Sequence, residues 1–364
     1  MDKKPLPEYL DAASTTPVDP RVLKAMLPYF SEIFGNASSQ HIYGQQAKEA
    51  VEKAREQVAS IVNVEASEII FTSGATEAIN LAIKGYWEAN RDRSNHLITV
   101  KTEHKAVLKT HEYLETLGVE VTYLGVDRNG LISLEELKQA IRADTLLVSV
   151  MHVNNETGLI HDVEEIALVC ADHSVAFFTD ATQAVAHVPT DYSSPTITMA
   201  CFSAHKFGGP KGIGALVIKR GNEVAPQIHG GGQESGLRGG TYNTPLTVGF
   251  GEICWIAKAE FSPRQEATRK LRAHWLDHIA QNDIGQAHFD ENKVAPHILS
   301  IELKHDEAEN FILLNTNKIS LSTGSACSSE LIQESHVLEQ HGITSNKTIR
   351  FSVNHAEPRR PILD

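Results

Sequence analysis

Lys206 follows an apolar run and is fenced by Ser203, His205 and the glycine-rich stretch Phe207-Gly-Gly-Pro-Lys-Gly212. A lysine so placed can form a Schiff base with a carbonyl group, or it can sit solvated before a turn. Other polar clusters also stand where apolar runs end. Ser73-Gly-Ala-Thr-Glu77 follows Glu68-Ile-Ile-Phe-Thr72. Its small residues let the backbone approach an anion at a helix start, although a tight turn with a threonine cap has the same look. Glu103-His104 follows His96-Leu-Ile-Thr-Val100, and His152-Val-Asn-Asn-Glu-Thr-Gly158 follows Thr145 to Met151. Asp180 and Gln183 follow Val175 to Thr179. Cys327 lies in Ser322-Thr-Gly-Ser-Ala-Cys-Ser-Ser329, among small polar residues. Cys170 and Cys254 sit in apolar runs and Cys201 at the end of one, so Cys327 alone reads as an exposed nucleophile.

The elements that must position these residues alternate. Helical spacing runs from His41 to Val62, from Thr76 past Ala82, from Lys105 to Leu117, from Ser133 to Ile141 with Glu136 completing a capping box, and from Val163 to Ala171. Between them lie short apolar strands, the later ones Ile197 to Phe202 and Ala215 to Lys219. Nearly all-apolar strands alternating with helices predict a mostly parallel sheet covered on both faces, with ligands at the carboxyl ends of the strands. Gly230 to Asn243 reads as a long loop, followed by helices Leu246 to Ala259 and Gln265 to Ala280. The remainder reads as a smaller α/β unit: strand His297 to Leu303, helix Asp306 to Leu314, strand Ile319 to Ser322, helix Glu330 to His341, strand Thr348 to Val353. A phosphate cup, a histidine, an aspartate and a lysine at successive strand ends are together the parts needed to hold pyridoxal phosphate. The aspartate would pair with the pyridinium nitrogen and make the ring an electron sink.

Composition excludes other classes. The 364 residues are 41% hydrophobic and 22% charged, ordinary for a globular protein of about two domains. With 33 Lys+Arg against 46 Asp+Glu, the net charge of −13 disfavours direct binding to nucleic acid or an anionic membrane. Four cysteines without a C-x-x-C pair suit a reducing, cytoplasmic setting, and no signal peptide or membrane span is expected. G-x-x-x-x-G-K-[ST], G-x-G-x-x-G and H-E-x-x-H are all missing, so mononucleotide, dinucleotide and metal sites are unsupported.

With these residues in place, the chain resembles the cysteine desulfurases, pyridoxal-phosphate enzymes of the class-V aminotransferase fold. The match runs from Tyr9-Leu-Asp-Ala-Ala-Ser-Thr-Thr-Pro-Val-Asp19 to about Arg350-Phe-Ser-Val353. It takes in Gly35-Asn-Ala-Ser-Ser39 with His41, Phe71 to Glu77, Glu103-His104, Asn154 to Gly158, Asp180 with Gln183 and His205-Lys206. It continues through Gly231-Gly-Gln-Glu234, Arg238 with Thr241, and Gly324-Ser-Ala-Cys327. The resemblance implies an aspartate-aminotransferase-like fold. A large cofactor domain would cover 15–255, and a small domain carrying the cysteine 1–14 and 256–364.

It also implies roles. Lys206 holds the cofactor as a Schiff base and moves protons. Asp180 pairs with the pyridine nitrogen, Gln183 touches the ring hydroxyl, and His104 stacks on the ring as acid or base. Thr76, Ser203 and His205 bind the phosphate, with Ala75 also in the cofactor site. Thr241 reaches the phosphate of the other subunit of a homodimer. Asn155, at the cofactor, and Arg350 hold L-cysteine, Arg350 by its carboxylate. Cys327 takes the sulfur as a persulfide, alanine leaves, and a protein acceptor receives the sulfur for iron–sulfur assembly, tRNA thiolation or DNA phosphorothioation. A selenocysteine lyase or another class-V enzyme is one alternative, and a non-catalytic assembly subunit with a retained site is another. The chain departs from the usual motifs at Ala12 and Ser14, and at Tyr242, where glutamate is common. It also stops at Asp364 after Pro358 and Pro361, where relatives continue into a helix, which predicts a dedicated acceptor.

Overall fold

The structure, a computed structural model, describes residues 6–127, 129–323 and 334–354. In chain order its strands are β1 Glu8–Tyr9, β2 Ile69–Thr72, β3 His96–Val100, β4 Glu120–Leu124, β5 Thr145–Ser149 and β6 Ala176–Asp180. They continue as β7 Met199–Ser203, β8 Gly214–Ile218, β9 Gly285–Ala287, β10 Ile298–Leu303, β11 Ile319–Ser320 and β12 Thr348–Ser352. The central sheet has seven strands in the order β2-β8-β7-β6-β5-β3-β4. Its neighbours from β4 through β7 are parallel, and β8 runs against both β7 and β2. The sheet is thus mostly parallel, as expected, with one reversed strand that hydrophobicity alone does not reveal. The apolar runs are the inner strands, buried along their whole length, whereas β4 at the edge is only partly covered.

Successive residues of a strand point to opposite faces, and each face carries its own core. Phe71, Val148, Phe177 and Phe202 lie in one apolar cluster with Val51 and Phe250, from helices Ile42–Ile61 and Thr244–Ala259. Ile70, Leu147, Phe178 and Cys201 lie in the other, with Ile79 from helix Ala75–Asn80 and Leu114 from helix Lys105–Glu115. The first two helices pack closely because small residues meet: a Cβ at Gly251 would lie 2.6 Å from Ala54 Cα. A third cluster surrounds Trp275, with Leu10, Ile301, Phe311, Ile349 and Phe351. It covers the antiparallel sheet β12-β10-β9 and the parallel pair β1-β11.

Several local readings change. The helix beginning near Thr76 has Gly74, not a threonine, at its cap position, with φ +154°. It runs through a π turn at Leu81–Gly85 into Tyr86–Asn90. Ser133 Oγ accepts the Glu136 N–H at 3.2 Å, one of the two bonds of the capping box. Two helices not expected from the spacing, Pro20–Met26 and Pro28–Ser31, precede the first long one, and Asp19 caps the first by accepting the Arg21 N–H. Of the helix expected over 330–341, residues 330–333 lie outside the described part. The described helix is His336–Gln340, and Glu334 and Ser335 precede it. No helix among the described residues is long and apolar enough to cross a membrane.

Candidate active site

At the carboxyl ends of the parallel strands lies a cavity of about 620 Å³. This is the size of a small-molecule or cofactor site. Its wall carries Ala75, Thr76, His104, Asn155, Asp180, Gln183, Ser203, His205, Lys206 and Arg350. Ten of the residues singled out from sequence therefore converge on one space. Thr241 does not join them: it lines a neighbouring cavity with Gln233, Glu234 and Arg238. Cys327 lies outside the described residues.

Each side chain is aimed by the strand it follows. β7 ends at Ser203 and passes into the short 3-10 turn Ala204–Lys206. Lys206 Nζ donates to Ala13 O at 2.7 Å and Ser14 O at 3.0 Å. β6 ends at Asp180, which is 5% exposed and accepts the Thr182 N–H at 2.9 Å. β3 leads to Glu103 and His104. His104 caps helix Lys105–Glu115, its Nδ1 accepting the Ala106 N–H at 3.1 Å. The proton of the neutral ring is therefore on Nε2. Burial holds its pKa below the usual value against the opposing pull of Asp180.

The turn after β2 presents Ser73 to Thr76 at the start of its helix. Gly214 permits the close approach here, because a Cβ on it would lie 2.8 Å from Gly74 Cα and from Phe202 O. Glu77 braces this cup from behind, accepting the Ser73 N–H at 2.8 Å and pairing with Arg238 at 2.9 Å. Ser203 Oγ donates to Ile213 O at 3.4 Å, and His205 Nδ1 lies 3.1 Å from Thr15 Oγ1. Burial, then the charges of Lys206 and Lys211, pushes the His205 pKa down to about 4, so the ring is neutral at pH 7.

Arg350, from β12, lines the same cavity. Nη1 donates to Asn155 O at 2.8 Å, and Nη2 reaches Asp11 Oδ1 at 2.7 Å, Ser14 Oγ at 2.8 Å and Ser322 Oγ at 2.9 Å. Gln183 Nε2 donates to Ala13 O at 2.8 Å. Glu103 Oε2, Asn155 Oδ1 and Thr182 Oγ1, all on wall residues, are buried with no hydrogen-bond partner among the described residues. Buried polar atoms normally have partners, so these three fit a polar guest.

Sequence reasoning missed part of this wall. Asp11, Ser14 and Ser322 hold the guanidinium, yet in sequence they are an acid and a serine near the start of the chain and a serine closing the expected strand Ile319 to Ser322. In sequence Glu103 is distinguished only by preceding His104. It is 1% exposed, Oε1 accepts the Met151 N–H at 2.5 Å, and burial, then the charge of Asp180, pushes its pKa well up. The loop 230–243 is pinned rather than loose. Glu234, 4% exposed, pairs with Arg55 at 2.7 Å and accepts the Phe71 N–H at 2.7 Å. Its own N–H donates to Tyr242 Oη at 3.1 Å, which gives Tyr242 a structural role.

An amine, a buried carboxylate, a neutral imidazole and a guanidinium thus share one cavity with an anion cup. The set is equipped to hold a pyridine aldehyde phosphate and an amino-acid carboxylate. Comparison with known proteins agrees. Residues 8–362 match the aminotransferase class-V family model. The chain is similar to the cysteine desulfurase IscS of Neisseria meningitidis serogroup C, 48% identical over 92% of this chain and 84% of that protein. Among solved structures it is similar to a NifS-like protein, with TM-score 0.90 and 36% identity over 97% of this chain and 95% of the other. It is also similar to SspA in complex with cysteine, with TM-score 0.86 and 36% identity over 96% of this chain and 100% of the other.

Proposed function

The chain belongs to the cysteine desulfurases of the class-V aminotransferase family, and from this we propose that it takes the sulfur of L-cysteine as a persulfide on Cys327, leaving L-alanine. The observation that carries the reading is the convergence of Lys206, Asp180 and Arg350 on one cavity. The family depends on pyridoxal 5′-phosphate, and the fit of this site rests on its donor set and on the partnerless wall atoms. Lys206 would hold the cofactor through Nζ, Asp180 would pair with its pyridine nitrogen, and Gln183 would bind its ring hydroxyl. Ala75, Thr76, Ser203 and His205 hold its phosphate, with a helix start favouring the anion. When bound, the cofactor supplies an electron sink for charge that develops at the substrate α-carbon.

The chain's own residues do the rest. Arg350 grips the substrate carboxylate and Asn155 helps orient it. His104, neutral with a proton on Nε2, would exchange a proton with the substrate, and Lys206 Nζ would carry the α-proton. The Cys327 thiolate forms an S–S bond to the substrate sulfur as the Cβ–S bond breaks. The carbon skeleton takes the electron pair and a proton and leaves as alanine. A protein acceptor then draws the sulfur from Cys327.

Thr241, outside the Lys206 cavity, serves the phosphate of a second copy of the chain. The exposed apolar residues Phe30, Phe34, Ile42 and Tyr43, with the Phe34 and Tyr43 rings 5.6 Å apart, support such a homodimer. The division into domains over 15–255 and over 1–14 with 256–364 is supported by the separate core around Trp275. The test is release of sulfide and alanine from L-cysteine with a reductant. Wild type is expected to give both in equal amounts and Cys327→Ala neither. A cofactor-loaded wild type that releases nothing, or a Cys327→Ala protein that works as well, overturns the reading.

A further inference from the structure

Two histidines beside the cavity have no part in these steps. His187 and His297 lie face to face, ring centroids 3.7 Å apart and planes 12° from parallel. His187 Nε2 lies 3.1 Å from the main-chain oxygen of Lys206, to which it donates. His297 is 1% exposed, and its Nε2 lies 3.1 Å from Gln183 Oε1.

The amide of Gln183 can face only one way. Its Nε2 is 2.8 Å from Ala13 O, and reversing it would set two carbonyl-type oxygens against each other. Oε1 therefore faces His297 and needs a donor there. Burial, reinforced by the charges of His187, Arg272, Arg350 and Lys206, keeps His297 neutral, with one ring proton. Its Nδ1 is buried with no hydrogen-bond partner among the described residues. The single proton is thus on Nε2 and goes to Gln183. One N–H of the Gln183 amide is spent on Ala13, and the other is left for the cavity that Gln183 lines.

We propose that His297 is a positioning residue. By donating to Gln183 Oε1 it fixes the amide so that the remaining N–H serves the ring hydroxyl of the cofactor, and its stack on His187 ties that setting to the Lys206 main chain. The proposal rests on the cofactor reading above. The histidines enter from different elements, His187 beyond β6 and His297 just before β10, so the pair joins the main sheet to the smaller one.

The test is a pH titration of the visible absorption of the bound cofactor in the loaded full-length protein. A donor to the ring oxygen draws negative charge away from the nitrogen that joins the cofactor to Lys206, so losing it makes that nitrogen more basic. His297→Ala is expected to raise the titration midpoint by roughly half a unit to one unit, the size of one net hydrogen bond. Gln183→Ala is expected to raise it similarly, and the double variant no further. His297→Gln keeps an N–H at similar reach and is expected to titrate as wild type. If Gln183→Ala shifts the midpoint and a folded His297→Ala does not, the positioning role is overturned while the cofactor reading stands. If Gln183→Ala also leaves it unmoved, the placement of Gln183 at the ring hydroxyl fails, and the role of His297 with it. Should His297→Ala not fold, a shifted midpoint in His297→Gln overturns the proposal and an unshifted one upholds it.

Discussion

Arg350 is already held by Asn155, Asp11, Ser14 and Ser322, each within 3 Å, so its fork is set before substrate arrives. That order lowers the entropy cost of binding a carboxylate. A lysine keeps the charge but has no planar fork to share among these partners and the substrate. Arg350→Lys is therefore expected to raise KM for L-cysteine about ten- to hundredfold, equivalent to one lost charge-assisted hydrogen bond, with a smaller change in kcat. Initial rates over a range of cysteine concentrations check it, and an unchanged KM would place the carboxylate elsewhere. Glu103 shows the same economy. Burial, then the charge of Asp180, pushes the Glu103 pKa well up, which disfavours a second negative charge beside Asp180.

At the scale of elements, the cup depends on a loop far along the chain. Glu234 sits in a left-handed conformation, with φ +49°, that its contacts over-determine: Arg55 from one helix, Phe71 N from β2 and Tyr242 from the loop itself. Glu234→Ala leaves the buried Arg55 charge short of its partner and is expected to cost about 3–5 kcal/mol of stability, seen as a lower urea midpoint. A change under about 1 kcal/mol would mean that water replaces the pair.

Much of this level is legible in sequence. Thr145-Leu-Leu-Val-Ser149 and Ala176-Phe-Phe-Thr-Asp180 are buried end to end, and such continuous apolar runs read as inner strands. The ends of these two strands, and of the equally buried Met199-Ala-Cys-Phe-Ser203, then locate Asp180, Asn155 and Lys206. The reversed direction of β8 was not legible, because an inner strand looks the same either way. The π turn at Leu81–Gly85 leaves no mark on periodicity. Glu234, His297 and Asp11 each gain their roles from partners more than a hundred positions away, as Gln183 is from His297.

For the molecule as a whole, acid is the weak side. His111, His152 and His161 are buried, and burial pushes each pKa down to about 4. In the unfolded chain each titrates near 6.5, so below that pH the unfolded state binds more protons. Their contribution to stability is complete above about pH 6.5 and is lost as pH falls toward about 4. Urea midpoints are expected to be level from pH 8 to about 6.5 and to fall steeply from there to about 4, and a level profile throughout would mean that these rings keep water. Asp11 and Arg350 meet across 339 positions, and Lys206 meets Ala13 across 193. On the ribosome the first wall of the site waits for its last, and the inner strands have emerged well before β12 exists. A chain released before β12 would carry Lys206 and Asp180 without Arg350, so the cavity gains its full wall only once β12 has been made.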